Sequence, residues 1–227
     1  MTAPPVIRNF SRPVISNQQG IHKQLEKIVR RHLTLPFQRP YPQHAIETFK
    51  AIAPVVEEHK GPLIFDSFCG VGESTVEIAR QNPTALVLGL DKSLCRLDKH
   101  VSNHQSEGIS NYHLLRADVD DFWRLAVAAG WKLDKHYLLY PNPWPKASLL
   151  KRRVHGSPLF PSLLLLGGVL ELRSNWQIYV MEFEFALAIA GRPATMQEAL
   201  QNTPITPFER KYQQAGQALW QCICQLD

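Results

Sequence analysis

The strongest constraint in this chain is an alternation that begins at Leu63. Continuous apolar runs at 63–68, 85–90, 112–116, 135–140 and 168–173 read as strands. Stretches with helical periodicity at 73–81, 92–107, 120–129, 158–166 and 176–190 follow them in turn. Strands buried on both faces and separated by amphipathic helices build a parallel sheet covered on each side. A run at 220–226 reads as a closing strand. Upstream, Ala45, Ile46, Phe49, Ile52, Ala53 and Val56 stand at helical spacing, so 41–59 is expected to be helical, bent or shortened at Pro54. Residues 1–40 are polar, basic and proline-punctuated, an arm with one helix expected over 18–31. The predicted division is therefore arm 1–40 and a single α/β domain 41–227, a size that 227 residues and a 44% hydrophobic fraction support.

Polar residues recur where these strands end. Asp66 lies in the first, Asp91 follows the second, Asp118 the third and Asn142 the fourth, and Arg173, Ser174 and Asn175 close the fifth. In a doubly wound sheet the ligand crevice forms at that carboxyl edge. Five consecutive strands with polar ends mark a site.

Composition narrows the class of partner. The formal net charge is +5, and its distribution says more than its size. Arg8, Arg12, Lys23, Lys27, Arg30, Arg31 and Arg39 crowd the arm, and Lys146, Lys151, Arg152 and Arg153 form a second cluster. Solvated patches and nucleic-acid backbone contacts are equally compatible with this. Cys69, Cys95, Cys222 and Cys224 form no CxxC pair, and no His/Cys cluster has zinc spacing, so reduced thiols and no metal are expected. No apolar stretch reaches membrane-spanning length and no signal-peptide core leads the chain, which makes a cytoplasmic location the default expectation.

The first strand runs into Ser67-Phe68-Cys69-Gly70-Val71-Gly72. Gly70 and Gly72 allow a tight turn and close approach of a ligand. The third glycine of a dinucleotide fingerprint is missing, because Thr75 stands there. Asp91, nineteen residues beyond Gly72, can accept hydrogen bonds from both hydroxyls of a ribose. Asp66 discriminates between cofactors: a carboxylate beside the glycine turn repels a pyrophosphate and attracts the cationic amino acid end of S-adenosylmethionine. Asp118 either accepts an adenine amino group or caps the helix that starts at Asp120.

At Tyr140-Pro141-Asn142-Pro143-Trp144-Pro145-Lys146 the chain resembles the bacterial tRNA (guanine-N7)-methyltransferase family. That family has Pro-Asp-Pro-Trp-Pro-Lys after its fourth strand and then Lys-Arg-Arg, where this chain has Lys151-Arg152-Arg153. Thr206-Pro207-Phe208-Glu209 resembles the family's Thr-Lys-Phe-Glu. The resemblance spans most of the chain, including the Arg- and Gln-containing leader. It implies a Rossmann-like class I methyltransferase with a doubly wound, mostly parallel seven-stranded sheet and helices on both faces. It implies S-adenosylmethionine as cofactor, held by Asp66, Gly70, Gly72, Asp91, Lys92, Asp118, Val119 and Asn142. It also implies tRNA as partner, met by Trp144, Lys146, Arg152, Arg153, Ser174, Asn175, Thr206 and Glu209, with Asn142 at the catalytic position. Monomer and homodimer are both compatible with it.

Three departures stand out. The family's aspartate in Pro-Asp-Pro-Trp is Asn142, its Thr-Asp pair after the fifth strand is Ser174-Asn175, and its lysine before Phe-Glu is Pro207. Guanine N7 already carries a lone pair, so it needs orientation rather than deprotonation. Methylation leaves positive charge on the purine, which carboxylates stabilise and amides stabilise less. Three expectations therefore stand side by side: guanine-N7 transfer, transfer to another base or acceptor, and tRNA binding without turnover. Trp144 is read as a base-stacking ring or a wedge in its loop. Arg152 and Arg153 are read as phosphate contacts. Glu209 is read as a guanine-edge acceptor or as a surface partner of Arg210 or Lys211.

Overall fold

The structure is a computed structural model and describes residues 11–104, 108–199 and 203–227, so Arg8 lies outside the described residues. In chain order it contains α1 (Leu25–Thr34), α2 (Gln43–Glu58), β1 (Leu63–Ser67), α3 (Glu73–Gln81), β2 (Leu86–Asp91), α4 (Leu94–His104), β3 (Tyr112–Arg116), α5 (Val119–Ala128) and β4 (Lys135–Leu139). Two short 3-10 turns, Ala147–Arg152 and Val154–Gly156, lead into α6 (Phe160–Leu166). Then come β5 (Val169–Ser174), α7 (Gln177–Ile189), β6 (Ala194–Glu198), α8 (Pro207–Gln214) and β7 (Trp220–Gln225). The seven strands form one sheet in the order β3-β2-β1-β4-β5-β7-β6. Strands β1 to β5 pair in parallel and β7 runs antiparallel to both β5 and β6. This is the doubly wound, mostly parallel arrangement the alternation predicts, and its order reverses at β1/β4, the place where folds of this kind bind ligands.

The pleat of β1 explains the two cores. Phe65 points into the larger core, with Phe122, Trp123, Trp131, Leu138, Phe160 and Phe183. Ile64 points into the smaller one, with Ile78, Ala79, Val87 and Leu139. Leu25 and Val29 of α1 are fully buried in the larger core, where α1 packs against α6 and α7. The stretch 11–40 is thus docked on the sheet layers, and its helix begins later than residue 18. Pro54 does not end α2, which continues to Glu58.

Two elements escape the sequence pattern. Strand β6 reads Ala-Thr-Met-Gln-Glu and is mostly exposed, so it has no apolar alternation to reveal it. Helix α8 is announced only by its cap: the Thr206 hydroxyl accepts from the Glu209 N–H at 2.9 Å, with Pro207 in the first turn.

A buried polar chain crosses the centre of the sheet. Trp123 Nε1 donates to Ser67 Oγ at 3.0 Å, and Ser67 Oγ lies 2.9 Å from His136 Nε2. Burial lowers the His136 pKa to about 3, so the ring is neutral and packs edge-on against Trp123. On the opposite face of the sheet, Gly89 on β2 leaves room for helix α3: a Cβ there would meet Thr75 Oγ1 and Leu114 Cδ2, each at 2.5 Å. Thr75 cannot yield freely, because its hydroxyl donates to Asp66 Oδ2 at 2.7 Å. Gly89→Ala is therefore expected to destabilise the fold by about 1–3 kcal/mol, the range for overpacking a close contact. A denaturant titration monitored by tryptophan fluorescence checks this.

Candidate active site at the carboxyl edge of the sheet

After β1 the backbone turns through Phe68 (φ 67°), Gly70 (φ 62°) and Gly72 (φ 77°) into α3. Tyr140 (φ 55°) follows β4, and Trp144 (φ 45°) lies in the loop beyond it. Among the described residues, Phe68, Tyr140 and Trp144 are the non-glycine residues with positive φ, and all three lie at this one edge. Such conformations are unfavourable for residues with a Cβ and cluster where a site is shaped. An added Cβ on Gly70 would meet nothing within 4 Å, so the turn borders open space.

Asp66 is fully buried. Its Oδ2 accepts from Ser74 Oγ at 2.6 Å and Thr75 Oγ1 at 2.7 Å, both in the first turn of α3. Its Oδ1 has no partner. A buried carboxylate oxygen without a donor is costly and suits a donor, above all a cationic one, brought by a ligand. Burial raises the Asp66 pKa to about 6 against the two hydroxyl bonds. Asp91 ends β2 almost wholly buried. Its Oδ2 accepts from Gly70 N at 3.0 Å and Arg96 Nη1 at 3.1 Å, and its Oδ1 accepts from Ser93 N at 2.8 Å. The Arg96 side chain is largely exposed, so this bond can be exchanged for another donor.

Beyond β2 and β3 lies a cavity of about 470 Å³ lined by Lys92, Arg116, Ala117 and Asp118, with His44 and Thr48 from α2. Asp118 both borders this cavity and caps α5, its Oδ1 accepting from Asp120 N at 3.1 Å. Val119, the first residue of α5, is buried. His44 and Thr48 carry no motif and could not be singled out from sequence.

The loop after β4 stands on the other side of the glycine turn. Asn142 is exposed and its Oδ1 accepts from Trp144 N at 3.3 Å, a local turn bond. Trp144 is half-buried, with the Arg152 guanidinium 4.8 Å from its ring centre, and Lys146 is exposed. Ser174 is buried and holds Trp176 N at 3.1 Å, while Asn175 Nδ2 donates to Gln217 Oε1 at 2.9 Å.

Two expected substrate contacts require correction. Arg153 is fully buried, so in this conformation it touches no phosphate. It pairs with Glu182 of α7 and donates to the carbonyls of Trp144 and Lys146. Glu209 is also fully buried. Its Oε1 accepts from Arg173 Nη1 at 2.9 Å and Tyr140 Oη at 3.1 Å, and its Oε2 from Ile205 N at 2.9 Å. Neither a free guanine-edge acceptor nor a surface pair with Arg210 or Lys211 describes it. Thr206 supports it from the helix cap. In the arm, Arg39 pairs with the buried Asp121 at 2.8 Å and Arg30 with Glu26, whereas Lys23, Lys27 and Arg31 remain exposed, as do Lys151 and Arg152 after β4.

Glu182 is the residue the sequence reading missed. The signal was present: it sits among Tyr179, Val180, Phe183, Ala186 and Leu187 on the buried side of α7, a place where a carboxylate needs partners. Among the described residues no group of three or more His, Cys, Asp or Glu could hold a metal, and no helix is long and apolar enough to cross a membrane.

The sheet order, the glycine turn and the acidic strand ends define the fold of S-adenosylmethionine-dependent class I methyltransferases. The chain matches the family described as "Putative methyltransferase" over residues 60–222, and it belongs to that family. A tRNA (guanine-N(7)-)-methyltransferase of Yersinia pestis (strain Pestoides F) is 28% identical over 173 residues, 71% of each chain. One of Treponema pallidum (strain Nichols) is 29% identical over 176 residues, 74% of this chain and 68% of that one. Among solved structures, the 16S rRNA methyltransferase KamB superposes with a TM-score of 0.53 at 17% identity, covering 82% of this chain and 95% of that one. A 16S rRNA (adenine(1408)-N(1))-methyltransferase from Catenulisporales acidiphilia gives 0.52 at 16% identity, covering 84% and 95%. At these identities the structural likeness shows the fold.

The Asp66 carboxyl offers a pH test. In the unfolded chain it titrates near 3.8 and in the folded protein near 6, so the native state binds more protons between those values. Native stability from this group is therefore lost as pH rises through that window. Relative to Asp66→Asn, the wild-type protein is expected to lose about 2–3 kcal/mol of unfolding free energy between pH 4 and pH 7. Parallel urea titrations at the two pH values read this difference directly.

Proposed function

We propose that this protein transfers a methyl group from S-adenosylmethionine to N7 of a guanine in tRNA, in the cytoplasm. The observation that carries this reading is the loop Pro141-Asn142-Pro143-Trp144-Pro145-Lys146, held at the carboxyl edge beside the glycine turn. It is supported by the names of the relatives from Yersinia and Treponema. When bound, S-adenosylmethionine supplies an electrophilic methyl. In this reading Asp66 Oδ1 receives its ammonium end, Gly70 and Gly72 lie along it, Asp91 takes the ribose hydroxyls in place of Arg96, and Lys92, Asp118 and Val119 surround the adenine. The domain 41–227 carries the chemistry, and the arm 1–40 extends the basic surface towards RNA.

On the acceptor side, Asn142 orients the guanine and Trp144 offers a ring for stacking. Lys146 and Arg152 meet phosphates, and Ser174 and Asn175 border the base. Glu209 and Thr206 act behind this surface by holding Arg173 and Tyr140 in place. No general base is required, because N7 attacks through a lone pair it already has. The positive charge left on the purine is met by amide oxygens at Asn142 and Asn175, a weaker stabilisation than carboxylates provide.

A second reading, transfer to another nucleic-acid base, is favoured by the same amides. Asn142-Pro143-Trp144 is similar to the Asn/Asp-Pro-Pro-aromatic turn that holds exocyclic amino groups in amino-group methyltransferases. Labelled methyl transfer to bulk tRNA lacking N7-methylguanosine, followed by nucleoside analysis, separates the two. Label in N7-methylguanosine is expected, and label in another nucleoside would replace the first reading with the second. In the same assay Asn142→Asp is expected to raise kcat/KM about tenfold, since restoring a full charge strengthens the contact to the developing cation. A fall in rate would count against N7 as the acceptor atom.

A further inference from the structure

The buried cluster around Glu182 has a geometry that no catalytic step accounts for. Glu182 Oε1 accepts from Gln18 Nε2 at 2.6 Å and His22 N at 2.8 Å. Its Oε2 is bonded to Arg153 Nη1 and lies 3.0 Å from His155 Nε2. Burial alone would raise the affinity of this carboxyl for a proton. The His155 bond, the Arg153 charge and the His22 N–H outweigh it, and the Glu182 pKa lies below its ordinary value. The ionised carboxylate thus gathers one segment of the arm and one segment after β4 onto α7.

Arg153 carries the grip onward. Its Nε and Nη2 donate to Trp144 O at 3.2 and 3.1 Å, Nη2 reaches Lys146 O at 3.3 Å, and Nη2 also meets Gln18 Oε1 at 3.0 Å. Its guanidinium is stacked 4.8 Å from the centre of the Trp176 ring. The planar five-donor fork suits this many-sided contact, and a lysine could not reproduce it. The arm touches the same loop twice more: Ser16 Oγ donates to Pro145 O at 2.5 Å, and Ala147 N donates to Asn17 Oδ1 at 3.2 Å. Trp144 sits at a positive φ, a conformation that needs such external fixing.

We propose that Gln18, Arg153 and Glu182 form a latch of positioning residues, through which the arm segment 16–22 sets the conformation of the acceptor loop 141–147. The arm is then a working part of the acceptor site, and Arg153 acts on the substrate through Trp144 and Lys146. That the loop serves methyl transfer rests on the function proposed above, whereas the latch itself can be tested without any acceptor.

The test compares the full-length wild type with Gln18→Ala and Arg153→Lys by amide hydrogen exchange on the protein alone. Gln18→Ala removes an arm contact without leaving a buried charge unpaired. Arg153→Lys keeps a positive charge opposite Glu182 but loses the fork. Exchange at the Trp144 and Ala147 amides is expected to accelerate by about tenfold in both variants while the amides of β1 and β4 keep wild-type protection, a local rather than global opening. Wild-type protection at those two amides in Gln18→Ala would overturn the latch, even if Arg153→Lys fails to fold. With tRNA as acceptor, kcat of Gln18→Ala is expected to fall about tenfold with KM for tRNA nearly unchanged. Should the wild type transfer no methyl to tRNA, the proposed function fails while the exchange result still decides the latch.

Discussion

A carboxylate shut away from water persists only where donors surround it, and Glu182 has such an enclosure of four. Removing one partner from a buried ion pair of this kind costs about 3–5 kcal/mol, because the other charge is left stranded. The enclosure draws its donors from segments far apart in the chain: Gln18 and His22 in the arm, Arg153 and His155 after β4. What stands at the carboxyl edge is therefore no loose loop appended to a sheet. A second buried pair, Arg173 with Glu209, fixes the other flank and ties β5, α8 and Tyr140 together. The loop 141–147 is suspended between these two ionic anchors.

The flank around the glycine turn is built differently. There the backbone and short side chains do the shaping: two glycines with positive φ, the hydroxyls of Ser74 and Thr75, and the bare Cα of Gly89 that lets α3 approach β2. One buried oxygen of Asp66 is left without a partner there, and a cavity lies beside Asp118. Rigid, small-residue architecture on one side and long charged side chains on the other meet where the strand order reverses.

The sheet was legible because burial writes itself into sequence. A strand such as Leu-Ile-Phe-Asp-Ser, covered on both faces, must be apolar almost throughout, and a helix such as α5 must repeat every three to four residues. Strand β6 was illegible for the converse reason, since an exposed edge strand has no such demand on its residues. The glycine turn and the acidic strand ends stand out in the sequence through turn chemistry and strand ends, both local. Arg153 and Glu209 were misread because charge in a sequence does not report solvent exposure. Whether an arginine faces water depends on a carboxylate 29 residues away, on a helix whose buried side otherwise gives no hint of a polar role. Long-range pairing of charges is what the one-dimensional pattern does not carry.

The separation between the arm and its partner also has a bearing on how the chain is made. His22 and Glu182 lie 160 residues apart, and Gln217 reaches back over 206 residues to the carbonyl of Ser11. The arm is the first of these segments to leave the ribosome. At about 5–20 residues per second it waits roughly 8 to 32 s before the carboxylate that will hold it has been synthesised. During that interval Arg39 can already meet Asp121, 82 residues on, and Gln18 can meet Arg153, but the carboxylate that fixes Gln18 and His22 to α7 is still missing. Gln18 and His22 can reach Glu182 only after α7 has emerged, so this contact closes late in vectorial synthesis.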